Sequence, residues 1–185
     1  MNEKNRVCPV EIAGVLDSII RRVVHNPRKI LEDYVKEGMT VLDMGCGPGF
    51  FSVEIAKMVG VSGHVIAADL QEGMLQKLRK KINGTEFEKR ITLHKCEENK
   101  IGVSVKVDFV LAFYILHELP DQKAFFLEIS SILKSESRIL VVEPTFHVAK
   151  AEFIKTSNKA KEAGFELFAG PDVFFSRTVV LKKAK

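Results

Sequence analysis

Apolar residues along this chain switch between two spacings. Over residues 9–24, Ile12, Val15, Leu16, Ile19, Ile20, Val23 and Val24 recur at helical intervals, which predicts an amphipathic helix. Asn26-Pro27 reads as a helix cap followed by proline at the first helical position. The helix it opens carries Ile30, Leu31, Tyr34 and Val35 inward and stops at Gly38. From Thr40 short, nearly unbroken apolar runs appear, at 40–44, 64–68, 91–95, 107–114 and 139–143. Runs of this length and content are strands, and the run at 107–114 is apolar enough to be covered on both faces.

Helical spacing returns between those runs. Phe51, Ile55, Ala56 and Val59 precede a stop at Gly60, and Met74, Leu75, Leu78 and Ile82 precede Asn83-Gly84. Pro120 opens a helix with Phe125, Phe126, Ile129, Ile132 and Leu133, and another runs over 149–163 to Gly164. Segments 165–168 and 174–181 have no helix between them, only a turn at Gly170-Pro171, so they pair as a hairpin with the final strand antiparallel. Regular alternation of strand and helix predicts an α/β fold. It is a three-layer, Rossmann-like sheet of seven strands, mostly parallel, with an N-terminal helical extension. We expect one domain over 1–185, with 1–37 as a helical lid segment and 38–185 as the core.

In such a sheet the ligand site lies beyond the carboxyl ends of the strands, where the strand order reverses. The first core strand ends there in Gly45-Cys46-Gly47-Pro48-Gly49. Gly45 and Gly47 permit positive φ and let a ligand approach bare backbone. The following helix offers free N–H groups and a partial positive charge. Phe50 occupies the place where a dinucleotide fingerprint needs a small residue, which counts against a nicotinamide dehydrogenase. No GxxxxGK[ST] run is present, so there is no P-loop. Asp43 puts a carboxylate before the glycines, and Asp69 ends the second strand, where it can accept from both hydroxyls of a ribose. A ribose, a positive charge and no phosphate cradle together fit S-adenosylmethionine.

The run Val41-Leu42-Asp43-Met44-Gly45-Cys46-Gly47-Pro48-Gly49 resembles motif I of class I S-adenosylmethionine-dependent methyltransferases. Val65 to Asp69 is similar to their second motif. Val107 to Ala112 with Leu116-His117-Glu118-Leu119 resembles the fourth-strand motif, and Ile139 to Pro144 the fifth. The likeness covers about 30–181 and is greatest to the small-molecule enzymes of the ubiquinone/menaquinone-biosynthesis type. It implies that Gly45, Cys46, Gly47 and Gly49 line the methionine part of the cofactor, with Cys46 a small residue that fits there. It implies Asp43 at the amino group, directly or through water, and Asp69 at the ribose. Leu70 and Met74 would lie beside the adenine, Cys96-Glu97-Glu98 would flank its ring and amine through Cys96 or Glu97, and Ala112, Phe113 and Tyr114 would run beneath the sulfonium toward the acceptor. Tyr114 and His117 are the candidate general bases, with His147 a further one. The region Ala112-Phe113-Tyr114-Ile115 lacks the Asn-Pro-Pro-Tyr type sequence of many amine-methylating enzymes.

Composition narrows the partners. The 185 residues, 46% apolar and 28% charged, describe an ordinary globular domain rather than a disordered chain. Lys plus Arg exceed Asp plus Glu by 28 to 24, a net charge of +4, and that mild excess argues against nucleic acid as partner. The longest apolar run, 109–116, is far short of the roughly 18–20 residues that span a bilayer. No secretory signal is legible. Cys8, Cys46 and Cys96 form no CxxC pair, which speaks against structural zinc or any other metal site and for a reducing cytoplasm. The expectation is methyl transfer to a small-molecule acceptor by a monomer or homodimer. An RNA methyltransferase and a non-catalytic cofactor-binding protein of the same fold are the alternatives.

Overall fold

The computed structural model describes residues 25–184, and the helix expected over 9–24 lies outside them, as does most of the expected lid. Elements are numbered from the first described. Helix α1, Pro27–Leu31, starts as the sequence predicts: the Asn26 side chain accepts from the Lys29 amide, with proline just inside. It ends earlier than Gly38, because Tyr34 N–H and Val35 N–H both close on the Leu31 carbonyl. Leu31 is fully buried, and Tyr34 stacks on Phe109 at 5.7 Å, so docking rather than length holds this short helix.

The core alternates as expected. Strand β1 is Thr40–Met44, followed by α2 Phe50–Val59, β2 His64–Asp69, α3 Glu72–Ile82 and β3 Ile91–Lys95. Then come β4 Val107–Phe113, α4 Gln122–Ile132, β5 Leu133–Pro144, α5 Lys150–Glu162, β6 Phe165–Ala169 and β7 Ser176–Lys183. The seven strands lie in the order β3-β2-β1-β4-β5-β7-β6. Strands β1 to β5 pair in parallel, and β7 is antiparallel to both β5 and β6. The chain crosses from β1 to β2 on one side and to β4 on the other, so the order reverses at the β1–β4 boundary. Two apolar clusters cover the faces of the sheet. One joins Leu31, Phe51, Ile55 and Leu78 to Val41 and Leu111, and the other joins Phe126, Ile129 and Ala160 to Leu42 and Val110.

Three local expectations are corrected. Helix α4 is capped by Asp121, which accepts from the amides of Lys123 and Ala124, so Pro120 stands before the cap. Leu133 ends no helix but begins β5 opposite Val107. The register then jumps from Val107–Leu133 to Phe109–Arg138, because residues 134–137 bulge out with Glu136 at φ 64°. Ser137 ties the bulge down through the Val107 carbonyl, and Lys134 pairs with Asp108. The last strand starts at Ser176, since Phe174 and Phe175 belong to the turn before it. Two single-turn 3₁₀ segments, Glu86–Lys89 and Leu116–Glu118, carry no apolar period by which the sequence could announce them. No helix among the described residues is long and apolar enough to cross a membrane.

Candidate functional site

The turn after β1 is built on left-handed backbone. Gly45, Gly47 and Gly49 have φ of +71°, +53° and +83°. Gly45 N–H and Cys46 N–H both donate to the Ala68 carbonyl at the end of β2, which folds the turn toward Asp69. Asp69 completes the link. Its Oδ2 accepts from Gly47 N–H at 2.8 Å and its Oδ1 from Gln71 N–H at 2.8 Å. An ionised carboxylate has about four acceptor positions, so two backbone amides leave capacity for two further donors. Burial raises the Asp69 carboxyl above its ordinary pKa of 3.8, opposed by the two amides and by Lys95.

Asp43 is 2% exposed, and Ser52 in the first turn of α2 donates to its Oδ2 at 2.5 Å. Ser52 carried no mark in the sequence beyond its place nine residues on. A Cβ on Gly49 would collide with Leu78, and one on Gly45 with Ile115, whereas one on Gly47 would meet nothing within 4 Å. Two of the glycines therefore serve packing. Gly47 presents bare backbone to open space.

Cys96 joins this group, since its N–H donates to the Asp69 carbonyl. Met74 and Cys96 are buried, while Leu70 is partly exposed and Glu97 exposed, the Glu97 backbone bridging to Lys100. A cavity of about 40 Å³ lies between Met44, Cys96, Glu97, Leu119, Pro120 and Phe125. Burial, with the negative fields of Asp43 and Asp69 and the neighbouring Cys96, pushes the Cys46 thiol well up. Burial and Asp69 push Cys96 up to about 12. Thiolate is the reacting form of cysteine, so neither thiol is a nucleophile at neutral pH. We expect iodoacetamide at pH 8 to leave Cys46 and Cys96 unmodified in the folded chain and to alkylate both in urea, as peptide mass analysis would show. Rapid labelling of Cys46 in the native state would contradict its burial.

On the far side of β1, Ala112 and Phe113 end β4, both buried. Tyr114 follows at φ 60°, a left-handed conformation that costs a bulky residue of order 1 kcal/mol or more. Its N–H bonds Val142 O, and its hydroxyl lies 2.6 Å from Ser176 Oγ and 3.2 Å from His25 Nε2. The hydroxyl thus ties β4 to β7 and to the start of the described chain. His117 lies in the 3₁₀ turn beyond, with its Nδ1 2.6 Å from Glu143 Oε2. Glu143, at the end of β5, is 1% exposed, and its other oxygen accepts from Leu116 N–H. The sequence placed Glu143 in a motif without a role, and only strand pairing brings it under His117. His147 stands 5.3 Å from His117, ring to ring. Rings run on from it through Phe146 and Tyr114 to Phe113 and Phe51. Phe146, Phe174 and Phe175 are 75%, 58% and 65% exposed. No cluster of metal-ligating side chains occurs among the described residues.

Asp69 keeps acceptor capacity beyond its two amides, Asp43 sets a buried carboxylate beneath the glycine turn, and His117 holds a titratable ring against Glu143. Comparison with known proteins gives the family and the fold. Residues 35–173 match the family model described as "Methyltransferase domain". A demethylmenaquinone methyltransferase of Lactobacillus johnsonii is 33% identical over 110 residues, which are 59% of this chain and 45% of that protein. One of Lactococcus lactis is 30% identical over 122 residues, 63% of this chain and 47% of that protein. The chain thus spans about half the length of these curated relatives. Among solved structures, an SAM-dependent methyltransferase from Aquifex aeolicus superposes with a TM-score of 0.83 at 29% identity, covering 95% of this chain and 98% of that one. A TehB-like SAM-dependent methyltransferase from Corynebacterium glutamicum, 16% identical with a TM-score of 0.70, covers 94% of this chain and 92% of that one and shares the fold.

Proposed function

This chain belongs to the methyltransferase-domain family, and from that membership we propose that it transfers a methyl group from S-adenosylmethionine to a small-molecule acceptor. The observation that carries the reading is the bond between Asp69 and Gly47. It makes the sugar-gripping acid and the glycine turn one unit at the strand-order reversal. The residues fit the cofactor. Gly47 faces open space that any side chain would enter, Asp69 has two acceptor positions for a ribose diol, and Asp43 offers a negative charge to an amino group.

When bound, the cofactor supplies an electrophilic methyl group on a sulfonium. The chain's part is to align the acceptor with it and take away a proton where the acceptor carries one. Gly45, Cys46, Gly47 and Gly49 would hold the methionine end, Gly47 through its bare backbone. Leu70, Met74, Cys96 and Glu97 would hold the adenine, and Ala112 and Phe113 would support the reacting centre. His117 is the base. Tyr114 holds the wall of the acceptor side, because its hydroxyl is already engaged with Ser176 and His25. The named relatives act on a demethylmenaquinone, a ring compound, and the exposed Phe146, Phe174 and Phe175 would suit a flat apolar acceptor. We propose a monomer or homodimer in the cytoplasm, a compartment that suits three cysteines with no CxxC pair.

Incubating the protein with methyl-labelled S-adenosylmethionine and a cell extract tests the reading. Label is expected in a small, solvent-extractable compound. Label in RNA would overturn the small-molecule acceptor, and failure of S-adenosylhomocysteine to bind in calorimetry would overturn the cofactor.

A further inference from the structure

Glu143 is a buried carboxylate at the edge of the candidate site, and its two oxygens face different needs. Oε1 accepts from Leu116 N–H at 3.0 Å, and Oε2 meets His117 Nδ1 at 2.6 Å. A neutral amide oxygen would serve the Leu116 backbone equally well. Only the imidazole makes use of a second, anionic acceptor. An ionised carboxylate has no proton to give, so at that contact the proton sits on Nδ1, and the lone pair of the neutral ring is left on Nε2. The placement depends on strand pairing across 26 residues: β5 lies beside β4, and Tyr114 N–H closes on Val142 O just past the end of β4. The chain then turns so that Leu116 and His117 both contact Glu143.

We infer that Glu143 is a positioning residue, holding His117 in the Nδ1–H tautomer so that Nε2 is the atom that accepts the acceptor's proton. Its consequence for catalysis rests on the methyl-transfer reading, but the tautomer itself does not. Among the described residues, the ionisable groups around His117 are Glu143 on β5, Glu118 beside it in the turn, and His147 from the segment after β5. Burial alone would hold the ring neutral. The Glu143 bond, reinforced by the charges of Glu143 and Glu118, outweighs burial and raises the pKa above the ordinary 6.5. A raised histidine pKa means that the base is free only above that value. The stability it contributes is complete below 6.5 and is lost as pH rises through the folded value.

The test is nitrogen NMR on the full chain. Among its five histidines, His117 is assigned with His117→Gln, and the ring nitrogens are followed from pH 5 to 9. In the parent, above the titration, Nδ1 should carry the proton and Nε2 should be bare, with a midpoint above 6.5. In Glu143→Gln the amide oxygen can still accept from Leu116, but the amide nitrogen would donate to Nδ1. The tautomer should then invert and the midpoint fall. With the acceptor identified by methyl labelling, the same variant should lose about 100-fold in kcat with KM held. A parent ring protonated at Nε2 would overturn the proposal by itself, even if the variant failed to fold. So would a variant with unchanged tautomer and midpoint. S-adenosylhomocysteine calorimetry on the parent is read separately: no binding there would sink the methyl-transfer reading and leave the tautomer result standing.

Discussion

Gly49→Ala should lose about 2–6 kcal/mol of stability, while Gly47→Ala, two residues earlier, should fold and fail to bind the cofactor. The two costs at Gly49 are separable. Its φ of +83° is a conformation that strains any L side chain by roughly 1–3 kcal/mol. Its Cβ would stand 2.2 Å from Leu78 Cδ1, and Leu78 is fully buried, so moving it disturbs the packed core and adds about 1–3 kcal/mol of overpacking. A domain of this kind holds only about 5–15 kcal/mol in total, so the variant would be marginal. At Gly47 the backbone strain remains at φ +53°, but nothing lies within 4 Å of the added carbon. The methyl would instead occupy the open space over the turn. Urea unfolding should show the Gly49→Ala midpoint well below the parent and the Gly47→Ala midpoint lowered less, by the backbone strain alone. Calorimetry with S-adenosylhomocysteine should show at least a tenfold loss for Gly47→Ala. Parental affinity in that variant would mean that the cofactor does not rest on the turn.

Asp69→Ala is expected to weaken S-adenosylhomocysteine binding by roughly 100-fold or more. Each hydrogen bond to a charged acceptor contributes about 1.5–3 kcal/mol, and a ribose diol would lose two. The variant also releases the Gly47 amide, so the turn loses its tether. Asp69→Asn separates the two effects: one amide oxygen can still hold one backbone N–H, but the charge is gone. It should bind between the parent and the alanine variant. A pH series gives an independent check. Burial raises the Asp69 pKa above 3.8, and the ribose prefers the ionised acceptor. Donor affinity should therefore fall as pH drops through that raised value. The sign for folding is opposite, because a carboxyl with a raised folded pKa adds stability below 3.8 and loses it as pH climbs through the folded value. Acid loss of binding at this residue is thus not acid unfolding. Unaltered affinity in Asp69→Ala would remove the ribose assignment.

Most strands and helices of the described residues, with their apolar faces, were legible in the sequence because each depends on spacing within a few residues. The same holds for the glycine turn and for Asp69 at the end of β2, which lie at the ends of elements whose period names them. What the sequence could not carry were side-chain bonds that only the folded chain makes. Ser52 under Asp43, Glu143 under His117, and the His25–Tyr114–Ser176 tie all belong here. So does the 134–137 bulge, which follows from how Leu133 and Arg138 both find partners on β4. Tyr114 and Phe175 at positive φ show the same limit, for no local rule predicts left-handed backbone at an aromatic residue unless packing on several sides imposes it. Periodicity and turn chemistry are properties of neighbours along the chain, so the sequence alone determined the described elements and the place of the candidate ligand edge. Which side chains meet at that edge, and which nitrogen of His117 faces the carboxylate, are properties of neighbours in space, and only the assembled sheet decided them.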